Sequence, residues 1–198
     1  MLSVNDIMEK SKEIIDKLHY CPIILNKNNK KTNKGCEGLY LEKLLGIKPS
    51  SKCLDLCDGE VKSFPITLKN GTFEPKETIA ITMLNRKDLP IQTFEESRCH
   101  KKIQRIIFFP YLRNDNDNIT FMKPIFIDMA ENNHLYELLK LDYNSIRSEF
   151  LEKGEIQSGT GKYIQSRTKG TGKVEEGKPK TRAFYFKKEF INEFVLCK

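Results

Sequence analysis

Apolar positions recur along this chain in two rhythms, one of three to four residues and one of two, and the changeovers mark its elements. Near the start, Ile7, Met8, Ile14, Ile15 and Leu18 fall on one stripe at helical spacing, behind Ser3 or Asn5 as a cap. A second helix is expected from Gly35 to Leu45, with Leu41, Leu44 and Leu45 on one side and Gly46 ending it. Glu42 lies about 100° round from Leu41, on the flank of that stripe. Period-two runs then predict strands over Glu60–Thr67, Thr78–Leu84 and Ile103–Phe109, with Asn70-Gly71 as the turn between the first two. One more strand is expected within Ile119–Ile127. Glu131–Lys153 reads as one or two helices broken near Asp142 or Asn144 and stopped by Gly154. The short runs Tyr163–Ser166 and Arg182–Phe186 read as strands, and Glu189–Val195 as a closing helix. Helices on a mixed sheet make the class α/β or α+β.

At 198 residues the chain is long enough for one medium domain with a real core, and no repeat or long linker divides it. The longest apolar run, Ile106–Leu112, is far short of the ~18 residues of a membrane span. The first residues lack the apolar core of a signal peptide, so a cytoplasmic location is expected. A formal charge of +7 favours a polyanionic partner, because the excess is concentrated in Lys27–Lys34 and in Lys162–Lys188. Runs of this kind are also common as plain solvated faces. The six cysteines form no CxxC pair; Cys36, Cys53 and Cys57 with His100 make a weak zinc pattern beside the simpler reading of reduced thiols.

The stretch Asp55-Leu56-Cys57-Asp58-Gly59-Glu60-Val61-Lys62-Ser63-Phe64 carries the candidate chemistry. Side chains alternate along a strand, so Glu60 and Lys62 share a face with α-carbons roughly 7 Å apart. Two other Glu-x-Lys triplets occur. In Glu74-Pro75-Lys76 the proline denies a central-strand setting, and Glu176-Gly177-Lys178 has no apolar frame. Only the first opens a strand and follows a nearby acid across a turn. Two carboxylates converging from a turn and a strand suit Mg²⁺, a hard cation that takes oxygen ligands. An ammonium on the same face can orient water and offset charge on a phosphate in transit. Asp58, two residues before Glu60, is a rival to Asp55 as ligand.

The Asp…Glu-x-Lys pattern is the hallmark of the PD-(D/E)XK nucleases, and further blocks narrow the likeness. Gly35-Cys36-Glu37-Gly38-Leu39-Tyr40-Leu41-Glu42-Lys43-Leu44-Leu45-Gly46 resembles the helix before the active site of MutH-type endonucleases. His100-Lys101-Lys102-Ile103-Gln104-Arg105-Ile106-Ile107-Phe108-Phe109-Pro110 resembles their basic strand. Gly161–Lys169 and Arg182–Phe190 resemble their DNA-reading segments. The blocks keep the family's order and spread over residues 35–194.

The resemblance implies a restriction-endonuclease-like core, a mixed central sheet flanked by helices, in a two-lobed arrangement around a DNA cleft, with approximate lobes 1–130 and 131–198. It implies that Asp55 and Glu60 bind Mg²⁺, that Lys62 is the catalytic lysine and that Glu42 is an auxiliary acid. Lys102 matches a second active-site lysine, with Lys101 as a competitor. Arg167 and Lys169 match a loop that reaches base edges, Tyr185 an aromatic near the target adenine, and Lys162, Gln165 and Lys187 complete the expected DNA contacts. The implied activity is sequence-specific cleavage of double-stranded DNA, as a type II restriction enzyme with GATC the site suggested by analogy. A mismatch-repair nickase and a catalytically silent DNA-binding domain are the alternatives. Whether it acts as a monomer or as a DNA-induced dimer is left open.

Overall fold

The computed structural model describes residues 1–21, 35–114, 117–169 and 180–197. The basic run at 27–34, the glycines at 170, 172 and 177 and the third Glu-x-Lys triplet lie outside them. The chain forms two compact units, each discontinuous: Met1–Glu77 with Arg105–Ile127, and Thr78–Gln104 with Asp128–Lys198. Thr78–Gln104 thus belongs with the C-terminal part of the chain and not with the residues on either side of it.

The first unit holds helices α1 (Val4–Ser11) and α2 (Cys36–Leu45) and a mixed sheet. Its strands are β1 (Leu18–Tyr20), β2 (Glu60–Lys69), β3 (Thr72–Pro75), β5 (Arg105–Arg113), β6 (Asn118–Phe121) and β7 (Ile125–Asp128), in the order β1-β6-β5-β2-β3 with β7 also on β5. β2 and β5 run parallel, with Glu60 opposite Ile106 and Lys62 opposite Phe108. Val61, Ile107, Phe109, Tyr111, Ile119 and Phe121 share one core with Val4 and Ile7 of α1 and Leu41 and Leu45 of α2. Pro65 and Pro110 are tolerated inside β2 and β5 because the antiparallel ladders to β3 and β6 begin one residue later, at Ile66 and Tyr111.

Ser3 caps α1 in a reciprocal box with Asp6. The helix stops at Ser11, so the expected stripe does not continue through Ile14, Ile15 and Leu18. Asp16 turns the chain at φ 56°, its N–H donating to Phe121 O at 2.8 Å, and Leu18 emerges exposed on β1. Asn70-Gly71 makes a two-residue hairpin with both φ positive. It leads to the unforeseen short β3 instead of the Thr78 strand. Ile119–Ile127 divides into β6 and β7 around Pro124.

The second unit is built on a three-stranded sheet of β4 (Ile79–Leu84), β9 (Arg182–Phe186) and β8 (Ile164–Thr168), in that order. Helix α4 (Asn133–Lys153) packs on it, with Tyr143 and Phe184 ring centroids 5.4 Å apart. α4 is unbroken. Asp142, expected as a breaker, is a buried residue whose carboxylate accepts the backbone N–H groups of Ile164, the first residue of β8, and of Tyr163 before it. Helix α3 (Arg98–Ile103) occupies the start of the expected third strand: Ser97 caps it, Cys99 and Ile103 bury its inner side, and β5 begins only at Arg105. α5 (Lys188–Phe190) runs on as a π turn through Val195, and Phe190 stacks on Phe186 at 4.2 Å.

Candidate functional site

Glu60 is the first residue of β2, and what precedes it is dictated by space. A Cβ on Gly59 would lie 2.7 Å from Val4 Cγ2 and 2.9 Å from Arg105 O, so only glycine lets the chain enter the sheet here. The four-residue turn before Glu60 is tied across: Leu56 N–H donates to Gly59 O at 3.0 Å, Asp55 N–H to Glu60 Oε2 at 3.3 Å, and Val61 N–H to Asp55 Oδ2 at 3.2 Å. Each acid is therefore held by the backbone of the other's neighbourhood. The Lys62 ammonium reaches back along the same strand face and meets Glu60 Oε1 at 2.6 Å, with side-chain exposures of 20% and 1%. Burial holds the Glu42 carboxyl above the ordinary carboxylate range; the charge of Asp55 pushes the same way, against Lys62, and that of Glu60 adds to it. Thus the structure brings Asp55, Glu60, Lys62 and Glu42 within electrostatic reach of one another.

Asp58 points elsewhere. Its Oδ1 accepts Val4 N–H at 2.8 Å, at the first turn of α1, and its Oδ2 pairs with Arg105 at 2.5 Å. A carboxylate at a helix start is favoured by the unpaired N–H groups and the helix dipole. The geometry therefore gives Asp58 a structural task and leaves Asp55 facing Glu60. A cavity of about 410 Å³ opens beside Asp55, lined also by Leu2, Gly46, Ile47, Lys48, Pro49 and Ser50.

Among the described residues no group of three His, Cys, Asp or Glu side chains comes together as a metal site, and the zinc pattern is not assembled. The Asp55–Glu60 pair still fits a hard divalent cation. Both donors are carboxylate oxygens, the neighbouring Glu42 is disfavoured as an anion by burial and then by Asp55, and Mg²⁺ is commonly held by one or two carboxylates plus water and phosphate oxygens.

Lys102 lies on α3, not on a strand, and belongs to the second unit. It is half-buried, while Lys101 is exposed. The β-register explains the arrangement of the expected reading residues. Gln165 pairs with Tyr185, and Arg167 with Ala183, so Gln165, Arg167 and Tyr185 share the sheet face opposite the buried Ser166 and Phe184. The Arg167 guanidinium sits 5.7 Å from the Tyr185 ring centroid and donates to Thr78 Oγ1 at 2.7 Å. Lys162 and Lys169 are exposed at the two ends of β8. The Lys187 ammonium instead donates to Gly159 O at 2.9 Å and Gly161 O at 2.6 Å, and so ties a loop of the protein.

Arg105 and Thr78 were not singled out from the sequence, and Asp142 only as a possible helix break. Only Asp142 carried a signal there, as an acid on the apolar stripe of Leu135, Leu139, Tyr143 and Ile146.

The site can now be set beside known proteins. A family model described as the DNA mismatch repair enzyme MutH matches residues 45–138, which include Asp55, Glu60, Lys62 and Lys102. The type II restriction enzyme Sau3AI of Staphylococcus aureus is 26% identical over 182 residues, covering 83% of this chain and 37% of that protein. This chain thus spans little more than a third of that relative's length. The restriction endonuclease MvaI, solved as a complex with its cognate DNA substrate, aligns over 98% of this chain and 97% of its own, with a TM-score of 0.49 and 13% identity. No described helix is long and apolar enough to cross a membrane. The segment matched by the family model contains the acidic strand, and over it the chain is similar to MutH-type and type II restriction endonucleases.

Proposed function

We propose that this chain is a Mg²⁺-dependent endonuclease that cuts double-stranded DNA at a specific sequence, as a type II restriction enzyme. The observation that carries the reading is the Asp55–Glu60–Lys62 arrangement at the start of β2, with a buried carboxylate and an ammonium 2.6 Å apart on one strand face. Sau3AI and the MutH family model support it by naming restriction and DNA-repair enzymes. Asp55 and Glu60 would hold Mg²⁺, which when bound polarises the phosphate and makes water a stronger nucleophile. Lys62, aimed by Glu60, orients the attacking water and offsets negative charge growing on the phosphate oxygens. Glu42 adds a carboxyl at the flank of the site.

The face bearing Gln165, Arg167 and Tyr185 is the base-reading surface of this proposal. Arginine donating twice to guanine is the commonest specific major-groove contact. Lys162 and Lys169, exposed at either end of β8, suit phosphates, which position the protein without reading sequence. GATC is the first site to test.

The decisive experiment incubates the protein with plasmid, unmethylated or adenine-methylated at GATC, with Mg²⁺ or with EDTA. Discrete fragments only with Mg²⁺ are expected, and Lys62→Ala should bind the same DNA without cutting it. Discrete cutting by Lys62→Ala would remove the mechanism. Nicking of one strand that requires an added repair ATPase would move the reading to the mismatch-repair branch that the family model names.

A further inference from the structure

Asp142 sits in the middle of α4 on its apolar stripe and is only 5% exposed. A carboxylate withdrawn from water requires strong donors in compensation. Here they are three successive backbone N–H groups, Lys162 to Oδ1 at 2.7 Å, Tyr163 to Oδ2 at 2.5 Å and Ile164 to Oδ2 at 2.7 Å. Three consecutive N–H groups converge on one anion only where the chain curls. Gly161 makes the curl at φ +89°, where a Cβ would stand 2.1 Å from Ile164 O and 3.1 Å from Asp142 Cγ. The carbonyls of the same loop are taken by the Lys187 ammonium, through Gly159 O and Gly161 O. An anion from the helix beneath and a cation from the end of β9 thus grip one loop by its opposite poles. Charge-assisted bonds are roughly twice as strong as neutral ones, so this loop is held far more firmly than an ordinary surface turn.

The loop is the root of β8. Ile164 is the strand's first residue, Gln165 follows it, and Arg167 stands three residues on, about 10 Å along the strand. A displacement at the root is carried along the strand, and a slip of one residue would turn Gln165 and Arg167 to the other face.

We infer that Asp142 is a positioning residue for base readout: it fixes the origin of β8 and therefore where Gln165 and Arg167 meet the base edges. The inference rests on the proposed reading of the β8–β9 face as the DNA-reading surface. Neither Asp142 nor Gly161 touches DNA in this scheme. Their removal loosens sequence choice and leaves the cutting chemistry in place.

The test digests a plasmid library carrying a randomised site, in Mg²⁺, and sequences the fragment ends. Wild type is compared with Asp142→Asn, Gly161→Ala and Leu139→Ala. Asn keeps one acceptor oxygen but turns an NH₂ group toward N–H donors. Gly161→Ala expels the same loop from the other side, and decides alone if Asp142→Asn does not fold. Leu139→Ala opens a cavity in the same helix and lowers Tm at least as much without touching the loop. Expected is a tenfold or greater rise in cutting at sites one base away from the preferred one for the first two variants, and a wild-type profile for Leu139→Ala. An unchanged profile in the loop variants, or the same relaxation in Leu139→Ala, overturns the positioning role alone. A wild type that cuts nowhere overturns the nuclease reading and this inference with it.

Discussion

Replacing Lys62 with Met isolates one buried charge pairing of the first unit. Methionine keeps an unbranched stem of similar reach, so packing along β2 changes little, while the ammonium 2.6 Å from Glu60 Oε1 is lost. The Glu60 side chain is 1% exposed and cannot turn to water without leaving the sheet. Removing one partner of a buried pair typically costs about 3–5 kcal/mol, because the other charge is left uncompensated. Lys62 is 20% exposed, so water already screens the pair in part, and the lower end applies, about 2–4 kcal/mol. For a chain of this size each kcal/mol moves Tm by roughly 2–4 °C, so the fall should be about 4–16 °C. The assay is thermal and urea unfolding followed by circular dichroism, in EDTA, for Lys62→Met, Glu60→Gln and the double variant. The double variant has no stranded charge and should recover at least half of the loss, a coupling that the cycle measures directly. Lys62→Met within about 0.5 kcal/mol of wild type, or a double variant as unstable as the sum of the singles, would refute the buried-pair reasoning.

Asp58→Asn should cost about 1–2 kcal/mol by weakening the α1 cap and the Arg105 pair, yet leave Mg²⁺-dependent cutting intact. Loss of cutting with DNA binding retained would instead make Asp58 the ligand. Glu95→Gln tests an acid-side linkage. The Lys140 hydrogen bond, foremost, and those of a backbone N–H and the Tyr136 hydroxyl hold the Glu95 carboxyl at about 2, against 4.5 unfolded. Its contribution is therefore present above pH 4.5 and is lost as pH falls toward 2. The Gln variant should lose less stability across that window in urea titrations at fixed pH. Equal acid slopes for both proteins would rule the linkage out.

Glu60 and Lys62 were legible because strand alternation forces residues two apart onto one face, whereas Glu42 was joined to them only by the resemblance of the Gly35–Gly46 block to the MutH-type helix. The α3 segment reads as strand because Ile103 and the apolar run after it hide a cap: Ser97 opens a helix that ends at Ile103, with only Gln104 between it and β5. The role of Asp58 was out of reach for a different reason. Its partners, Val4 and Arg105, lie 54 and 47 residues away, and no local pattern announces such contacts. Lys187 looked like one more cation for phosphate in a basic stretch. Only the fold shows that two carbonyls, 26 and 28 residues earlier, occupy it. Register did the same for Gln165, Arg167 and Tyr185, whose common face depends on how β8 and β9 pair.

The parallel pairing of β2 with β5 has a consequence for how this molecule can be made or dissected. Parallel neighbours need a long excursion between them, and here Thr78–Gln104 supplies part of it while building the other unit. A ribosome that has released only the first hundred residues has delivered Glu60 and Lys62 but not the strand beside which they must lie. No single break in the polypeptide yields either half intact, so a shortened version must be designed by re-joining segments, not by trimming an end.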